Sequence, residues 1–172
     1  MPDLILRPLA LSDCEQATRA HQLLLERDNF DFLQGDPVDF PAVLEKHSRL
    51  ASGEDMPEGY VRSELLVAEY EGRIVGRTSI RYELTDFLMA VGGHVGYAVL
   101  PDERRQGFAG KILRLSLNRL RAAGVCKVLV TCDESNLASR RTIEGAGGVL
   151  ENTYTTSDGK VKLRFWIDNS NV

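Results

Sequence analysis

The chain has 172 residues, of which 43% are hydrophobic and 27% charged, and this balance excludes an intrinsically disordered protein. Its net charge of −4 at pH 7 disfavours a general nucleic-acid binder, which needs a basic surface. The length predicts one domain, covering residues 1–172. Asp3 and Arg7 interrupt the N-terminus and no apolar run is long enough to span a bilayer, so neither a signal peptide nor a membrane partner is expected.

The cysteines indicate a reducing compartment. Cys14, Cys126 and Cys132 form an odd set without the spacing of metal ligands. We therefore expect a cytoplasmic protein without structural disulfides and without a bound metal.

The N-terminal third predicts one strand and two helices. Residues 4–9 are mostly apolar and favour a strand. The S-x-x-E pattern that begins at Ser12 is typical of a capping box at the start of the first helix. A second helix is expected to begin at Asp39 or Pro41 and to end at Gly53.

The middle of the chain predicts a hairpin followed by an isolated strand. Residues 65–70 and 73–82 favour paired strands, joined by the two-residue turn Glu71-Gly72. Residues 83–92 are compatible with either a short helical turn or a loop. Residues 94–100 predict a strand that Pro101 ends, because proline has no N–H for the ladder.

The C-terminal third completes a mixed sheet. Residues 125–132 are nearly all apolar, as in a strand covered on both faces, and residues 136–146 predict a helix. Residues 149–156 and 160–167 predict a closing hairpin. The β-α-β passage predicts one parallel strand pair and the hairpins predict antiparallel edges. The expected fold class is therefore α/β, with a central, mostly antiparallel mixed sheet and helices on both faces.

The loop after residues 94–100 carries the clearest chemical signal. Arg104, Arg105 and Lys111 surround the start of a helix, where acidic residues are normally preferred. Gly107 and Gly110 remove side-chain bulk, so an anion can approach the backbone N–H groups. The pattern is compatible with a phosphate cradle and with an ordinary solvated basic turn.

Two common phosphate loops do not match this segment. A Walker A loop requires serine or threonine after its lysine, whereas Ile112 follows Lys111. A Rossmann fingerprint requires more glycines at the turn than the single Gly107.

Two spaced motifs resemble those of the GNAT acetyltransferase superfamily. The R-x-x-G-x-A pattern from Arg104 to Ala109 resembles its pyrophosphate motif, [QR]-x-x-G-x-[GA], and directly follows a strand. The pattern N-x-x-[AS] from Asn136 to Ser139, followed by Gly147-Gly148, resembles its downstream motif. The resemblance covers about residues 65–167, and the preceding part agrees only in element order.

The resemblance implies a GNAT-like fold whose sheet splays between strands 94–100 and 125–132, with acetyl-CoA in the cleft. The main chain near Val99 would pair with the pantetheine arm like an additional strand. The N–H of Val99 or Leu100 would bind the thioester oxygen. The residues that the resemblance assigns to the cosubstrate are Val99, Leu100, Arg104, Arg105, Gln106, Gly107, Phe108, Ala109, Gly110, Asn136 and Ser139.

The sequence departs from the family pattern at the residue that would donate a proton to the leaving thiolate. Many members carry a tyrosine seven residues after the asparagine, and Ile143 occupies that position. Isoleucine has no proton to donate. Ser139 resembles the serine used by members related to protein N-terminal acetyltransferases, and its hydroxyl is the replacement that we expect.

The base that deprotonates the acceptor amine has several candidates. His94 is the best, because it lies where other members often place a glutamate and its ordinary pKa suits the task, although a half-buried structural histidine fits equally well. Tyr97 is a weaker candidate, since a strand tyrosine usually belongs to the core. Asp133 and Glu134 could act through water or simply begin the following helix. Cys132 is interpreted as a core residue.

The leading hypothesis is an acetyl-CoA-dependent N-acetyltransferase that moves the acetyl group directly to a primary amine in a ternary complex. The alternatives are a non-catalytic acyl-CoA-binding module or sensor, and a nucleotide- or phosphate-binding regulator. Residues 29–59 and 83–93 would set the acceptor, whether a small amine, an antibiotic, an amino acid or a protein N-terminus. The chain is expected to be a monomer or a homodimer, with no nucleic-acid partner.

Overall fold

The computed structural model describes residues 2–170 and confirms the predicted mixed sheet with flanking helices. Its strands are β1 (Ile5–Pro8), β2 (Ser63–Tyr70), β3 (Arg73–Arg81), β4 (Val95–Val99), β5 (Lys127–Asp133), β6 (Val149–Thr155) and β7 (Val161–Asp168). Its α-helices are α1 (Cys14–Asp28), α2 (Phe40–Ser52), α3 (Asp86–Ala90), α4 (Phe108–Ala122) and α5 (Leu137–Gly145).

The seven strands form one sheet in the order β1-β2-β3-β4-β5-β7-β6. Neighbouring strands are antiparallel except β4 and β5, which are parallel. Leu113 and Leu117 of α4 pack with Val95 and Val130 on one face of the sheet. On the other face, Leu24 of α1 packs among residues of β2, β3 and α2. The core thus has two layers, one on each side of the sheet.

The capping box predicted at Ser12 is wrong. A short 3-10 turn (Leu11–Asp13) precedes α1, so the helix begins at Cys14. The carboxylate of Asp13 accepts hydrogen bonds from the backbone N–H of Ala10 at 2.8 Å and from the guanidinium of Arg7 at 2.7 Å. This partly buried ion pair, with the bond from Ala10 N–H, uses the Asp13 carboxylate before the helix starts. It involves Arg7 of β1, which lies outside a local capping pattern.

The parallel strands β4 and β5 separate almost as soon as they meet. They share the single register pair Val95 and Val130, whereas β5 and β7 remain paired from Lys127 to Asp133. The carboxyl-terminal half of β4 therefore has no strand beside it on the β5 side. The sheet splays there, at the position that the family resemblance implies.

Hydrogen bonds hold the closed end of this splay together. The backbone N–H of His94 donates to Leu129 O at 2.8 Å, and the N–H of Leu129 donates to His94 Nδ1 at 2.9 Å. Gly93 has a φ of 61°, and an added Cβ there would overlap the carbonyl oxygen of Leu129. The imidazole thus takes the place of a backbone acceptor in the ladder, and the preceding glycine permits the close approach.

Replacing His94 with alanine is expected to destabilise the fold by about 1–3 kcal/mol near neutral pH, because the buried N–H of Leu129 loses its acceptor. Burial, and then the positive charge of Arg81, lower the pKa of His94 from 6.5 to about 4. The folded state therefore favours the neutral imidazole. The stability that the neutral His94 imidazole contributes is complete above the unfolded-state pKa of 6.5, and it is lost as pH falls through about 4.

The measurement is the free energy of unfolding in urea, for wild type and His94→Ala, across this pH range. The difference between the two proteins should shrink as pH falls. Burial also lowers the pKa of His47, but that residue is present in both proteins and its effect cancels. Parallel pH profiles would contradict the role given to the His94 imidazole.

Candidate functional site

The candidate site is the open side of the splay between β4 and β5. Three parts of the chain border it: the end of β4, the first turn of α4 and the first turn of α5. The two motifs of the sequence lie in the loops that enter α4 and α5. Because β4 and β5 run parallel, both loops leave the sheet at the same edge.

The first turn of α4 presents backbone donors to this opening. The first N–H groups of a helix have no partner within it. Gly107, at the N-cap with a φ of 83°, provides no side-chain cap, and the first turn contains no acidic residue. The helix start is therefore suited to an anion. Phe108 fixes its position, since its side chain is buried against Tyr70 with ring centroids 5.0 Å apart.

The basic loop before α4 contains one arginine that is bonded to the fold and one that is not. Arg104 donates from Nε to Val99 O at 3.1 Å and pairs with Asp28 at the end of α1. Its side chain thus ties the loop to the fold. Arg105 is exposed, with a φ of 63° and no ion pair within residues 2–170. Cosubstrate binding by either residue stays a prediction, and the charge available to a ligand in this geometry is that of Arg105.

The backbone of β4 has one donor that faces the opening near its end. Leu100 N–H donates to Val75 O at 2.9 Å, so the sheet already uses it. In an antiparallel strand, successive residues direct their backbone groups to opposite neighbours. Val99 N–H therefore points away from β3, towards the cleft, and is the donor of this pair that a ligand can reach.

Two hydroxyl groups meet across the cleft. The side chain of Asn136 caps α5 by accepting from Ser139 N–H at 3.1 Å. The hydroxyl of Ser139 then lies 3.2 Å from that of Tyr97 on β4. Burial raises the pKa of Tyr97, and it also raises the pKa of Cys132 at the end of β5. Both groups therefore keep their protons at neutral pH, so the tyrosine can donate and the thiol is not a ready nucleophile.

The position at which many family members carry a tyrosine is buried in this chain. Ile143 has no exposed surface and packs in the core with Leu163 and Phe165. The side chain at this position of α5 therefore points into the protein. Tyr97 brings a phenol to the same helix from β4 instead, a relationship between two distant segments that the sequence motif does not contain.

The predicted base candidates lie in different surroundings. His94 is at the closed end of the splay with Nδ1 occupied, so Nε2 is its nitrogen available for other contacts. Asp133 pairs with Lys162, and Glu134 is exposed beyond β5. The assignment of a base stays a prediction.

Sequence reasoning missed a basic pocket between α4 and α5. Its volume is about 440 Å³, and it extends from Gly110 at the first turn of α4 past Arg114 and Arg141. Neither arginine forms an ion pair in the described part of the chain. The two lie on separate helices and only the helix packing brings them together, so no local sequence signal marks them.

Across residues 2–170, no group of three or more His, Cys, Asp or Glu side chains is placed to hold a metal ion. Over the same residues, no helix combines the length and apolar character needed to cross a bilayer.

Comparison with known folds places this architecture among acetyltransferases. RimJ of Mycobacterium smegmatis, solved in complex with CoA-disulfide, superposes with a TM-score of 0.75 at 19% identity, covering 96% of this chain and 81% of RimJ. The ribosomal-protein-S5-alanine acetyltransferase of Vibrio fischeri gives a TM-score of 0.74 at 15% identity, covering 99% and 98% of the two chains. YncA of Salmonella typhimurium, a putative acetyltransferase solved with acetyl-CoA, gives 0.64 at 16% identity, covering 98% and 95%.

These identities are low, so the structural likeness shows the fold alone. No curated protein sequence matches the chain significantly. The model of the acetyltransferase (GNAT) family, however, matches residues 25–147, which include the splayed strands and both loops of the cleft. The chain belongs to the GNAT family of acetyltransferases.

Proposed function

We propose that residues 1–172 form a single-domain, cytoplasmic N-acetyltransferase that moves the acetyl group of acetyl-CoA directly to a primary amine. The observation that carries the proposal is the uncapped start of α4 beside the open edge of β4, with the Tyr97–Ser139 hydroxyl pair across the same cleft. The first feature suits a pyrophosphate, and the second suits a leaving thiolate. The protein would act as a monomer or a homodimer and would use no metal.

The contacts proposed for the cosubstrate follow the cleft from one end to the other. The N–H groups at the start of α4 and the free charge of Arg105 would hold the pyrophosphate. Val99 and its neighbours would pair with the extended pantetheine arm, as a strand pairs with a sheet edge. Asn136 would add a contact through Nδ2, because its Oδ1 already caps α5. Arg114 and Arg141 would meet the phosphate of the ribose in the pocket between α4 and α5.

The chemistry proposed for the site is a direct acyl transfer. The amine nitrogen forms a bond to the thioester carbonyl carbon, and the bond from that carbon to sulfur breaks. Val99 N–H would donate to the carbonyl oxygen as negative charge develops there. Tyr97, hydrogen-bonded to Ser139, would give its proton to the departing sulfur and so replace the tyrosine that α5 lacks. The amine would lose its proton through water to Glu134, or to His94 Nε2. The His94 imidazole is neutral but a weak base, because burial and then the positive charge of Arg81 lower its pKa to about 4.

The test is release of free thiol from acetyl-CoA across a panel of amino acids, peptides, polyamines and aminoglycosides. Amine-dependent release is expected, accompanied by the acetylated product. Binding of acetyl-CoA without release for any acceptor would favour the acyl-CoA-binding module, for which the buried Ile143 is the supporting observation. Failure to bind acetyl-CoA would contradict both.

Tyr97→Phe and Ser139→Ala are each expected to lower kcat by about tenfold or more, because a positioned proton donor contributes on this scale. The KM for acetyl-CoA should change by less than about threefold, since neither hydroxyl is proposed to bind the nucleotide. Steady-state kinetics at saturating acceptor provide the measurement. Glu144→Gln is the control, since Glu144 is exposed on the same helix as Ser139 and pairs with Arg140. An unchanged kcat in both variants would remove the hydroxyl pair from the mechanism.

Arg141→Ala is expected to raise the KM for acetyl-CoA by about tenfold, because it removes one charge-assisted contact to a phosphate. The KM for acetyl-dephospho-CoA, which lacks the ribose phosphate, should hardly change. Arg19→Ala is the matched control, since Arg19 is exposed on α1 and lies only near Glu15. Equal effects on the two cosubstrates would show that the pocket does not hold that phosphate.

A further inference from the structure

A row of polar side chains lies on the face of the sheet opposite to α4 and α5. Arg77 and Ser79 of β3 stand opposite Ala98 and Gly96 of β4, and the next such position pairs Arg81 with His94. Because side chains alternate along a strand, these residues share one face. Ala98 packs with the α1 and α2 core, which identifies the face.

Arg77 is a buried cation whose contacts are uncharged. It is 3% exposed, and it donates to the carbonyl oxygens of Phe32 at 3.1 Å and Asp31 at 2.8 Å. Its guanidinium carbon also lies 4.3 Å from the centre of the Phe30 ring. Burial and then the positive charge of Arg81 lower the pKa of Arg77 to about 9. The residue anchors the loop after α1. The carboxylate of Asp31 offsets its charge only in part, because burial and Arg81 outweigh it.

Arg81 is only partly used by the fold. Its Nη1 donates to the carbonyl oxygens of Gly92 at 3.0 Å and Gly93 at 3.1 Å. Within residues 2–170, its Nε and Nη2 make no hydrogen bond and its guanidinium makes no ion pair. An added Cβ at Gly96 would lie 3.7 Å from Nη2, so this nitrogen lies above a β4 position that has no side chain.

Two further polar groups next to Arg81 are free although their residues are buried. Ser79 is 3% exposed and its hydroxyl has no hydrogen-bond partner in the described chain, while His94 is 6% exposed with Nε2 unbonded. No side-chain polar atom of the described residues is both fully enclosed and unpaired. These two atoms therefore each keep some solvent-accessible surface.

The nearby acidic group does not neutralise this site. The carboxylate of Asp31 accepts from Gln34 N–H at 2.7 Å and lies 3.5 Å from His21 Nδ1. It is not within ion-pair distance of Arg77 or Arg81. Arg77 and Arg81 thus lie on the same largely buried face of β3, with Ser79 between them, and the charge of each disfavours that of the other. The arrangement is unfavourable unless an anion offsets it.

We infer that this site binds an oxyanion of the acceptor, so that the substrates are amines carrying a carboxylate or a phosphate. Arg81 would supply the charged donors and Ser79 a hydroxyl. His94 Nε2, if it is the base, would lie on the same side as the amine. The inference rests on the proposed function and names its substrate class. The Arg81 guanidinium lies over Gly96 of β4, the strand whose residues Tyr97 and Val99 border the cleft.

The experiment compares acceptors that differ only in the anionic group. One arm pairs α-amino acids with their amides, and the other pairs aminoalkyl phosphates with the corresponding amino alcohols. Wild type should show a kcat/KM at least about tenfold higher for the anionic member of one arm, and that arm identifies the oxyanion. Arg81→Gln should reduce this ratio to near one, with the KM for acetyl-CoA unchanged. Arg81→Lys should retain an intermediate preference, because it keeps the charge without the planar fork.

Arg49→Gln is the matched control, since Arg49 is exposed on α2 and pairs only with Glu45. Urea unfolding of Arg81→Gln checks that the turn at Gly92 and Gly93 survives. A wild-type enzyme that uses neutral acceptors equally well overturns the inference, as does an Arg81→Gln variant that is folded and keeps the preference. Acetyl-CoA binding without turnover of any pair overturns the substrate class alone, whereas absence of acetyl-CoA binding overturns the proposed function itself.

Discussion

The separation of β4 from β5 is the constraint on which the rest of the structure depends. A parallel pair that meets at the single position Val95–Val130 leaves backbone groups of β4 without a partner strand. Unpaired backbone groups are costly when they are buried, so the opening has to face water or a ligand. The helices that follow β4 and β5 both start at this edge, and their first turns add further unpaired donors. One local failure of strand pairing therefore creates a strand-like binding edge and an anion site together.

The closed end of the splay is as important as the open end. His94 and Gly93 maintain the contact to Leu129, and Arg81 holds the carbonyl groups of Gly92 and Gly93 from the neighbouring strand. The same residues thus set where the strands begin to diverge. They also present polar atoms to the face of the sheet on which the acceptor is proposed to bind. A substitution at His94 changes the scaffold and the proposed chemistry at once, so loss of activity alone cannot assign a base. The stability of the variant has to be measured beside its activity.

The two proposed substrates would meet two separate cationic groups of the protein. The start of α4, Arg105 and the pocket between α4 and α5 form the basic side that suits a nucleotide phosphate. Arg77 and Arg81 form a second, more buried cationic group behind β4. The net charge of −4 does not reveal these two cationic groups, because the acidic residues that outnumber the basic ones lie in other parts of the chain. Local placement of charge, and not the overall balance, is therefore the informative quantity for the ligands of this protein.

The sequence by itself determined the order of elements, the position of the parallel pair and the loop before α4. Each of these depends on neighbours in the chain: alternation within a strand, a proline that ends it, and glycine at a helix start. Tertiary structure alone decided the pairing of Asp13 with Arg7, the anchoring of Arg104 to Asp28, the meeting of Tyr97 with Ser139, and the ladder bond of His94. Most of these contacts join segments far apart in the chain, and even the short link from Arg7 to Asp13 depends on how β1 meets α1. A side chain's role follows from the atoms that packing brings next to it. Residue type and local spacing do not specify which atoms those are.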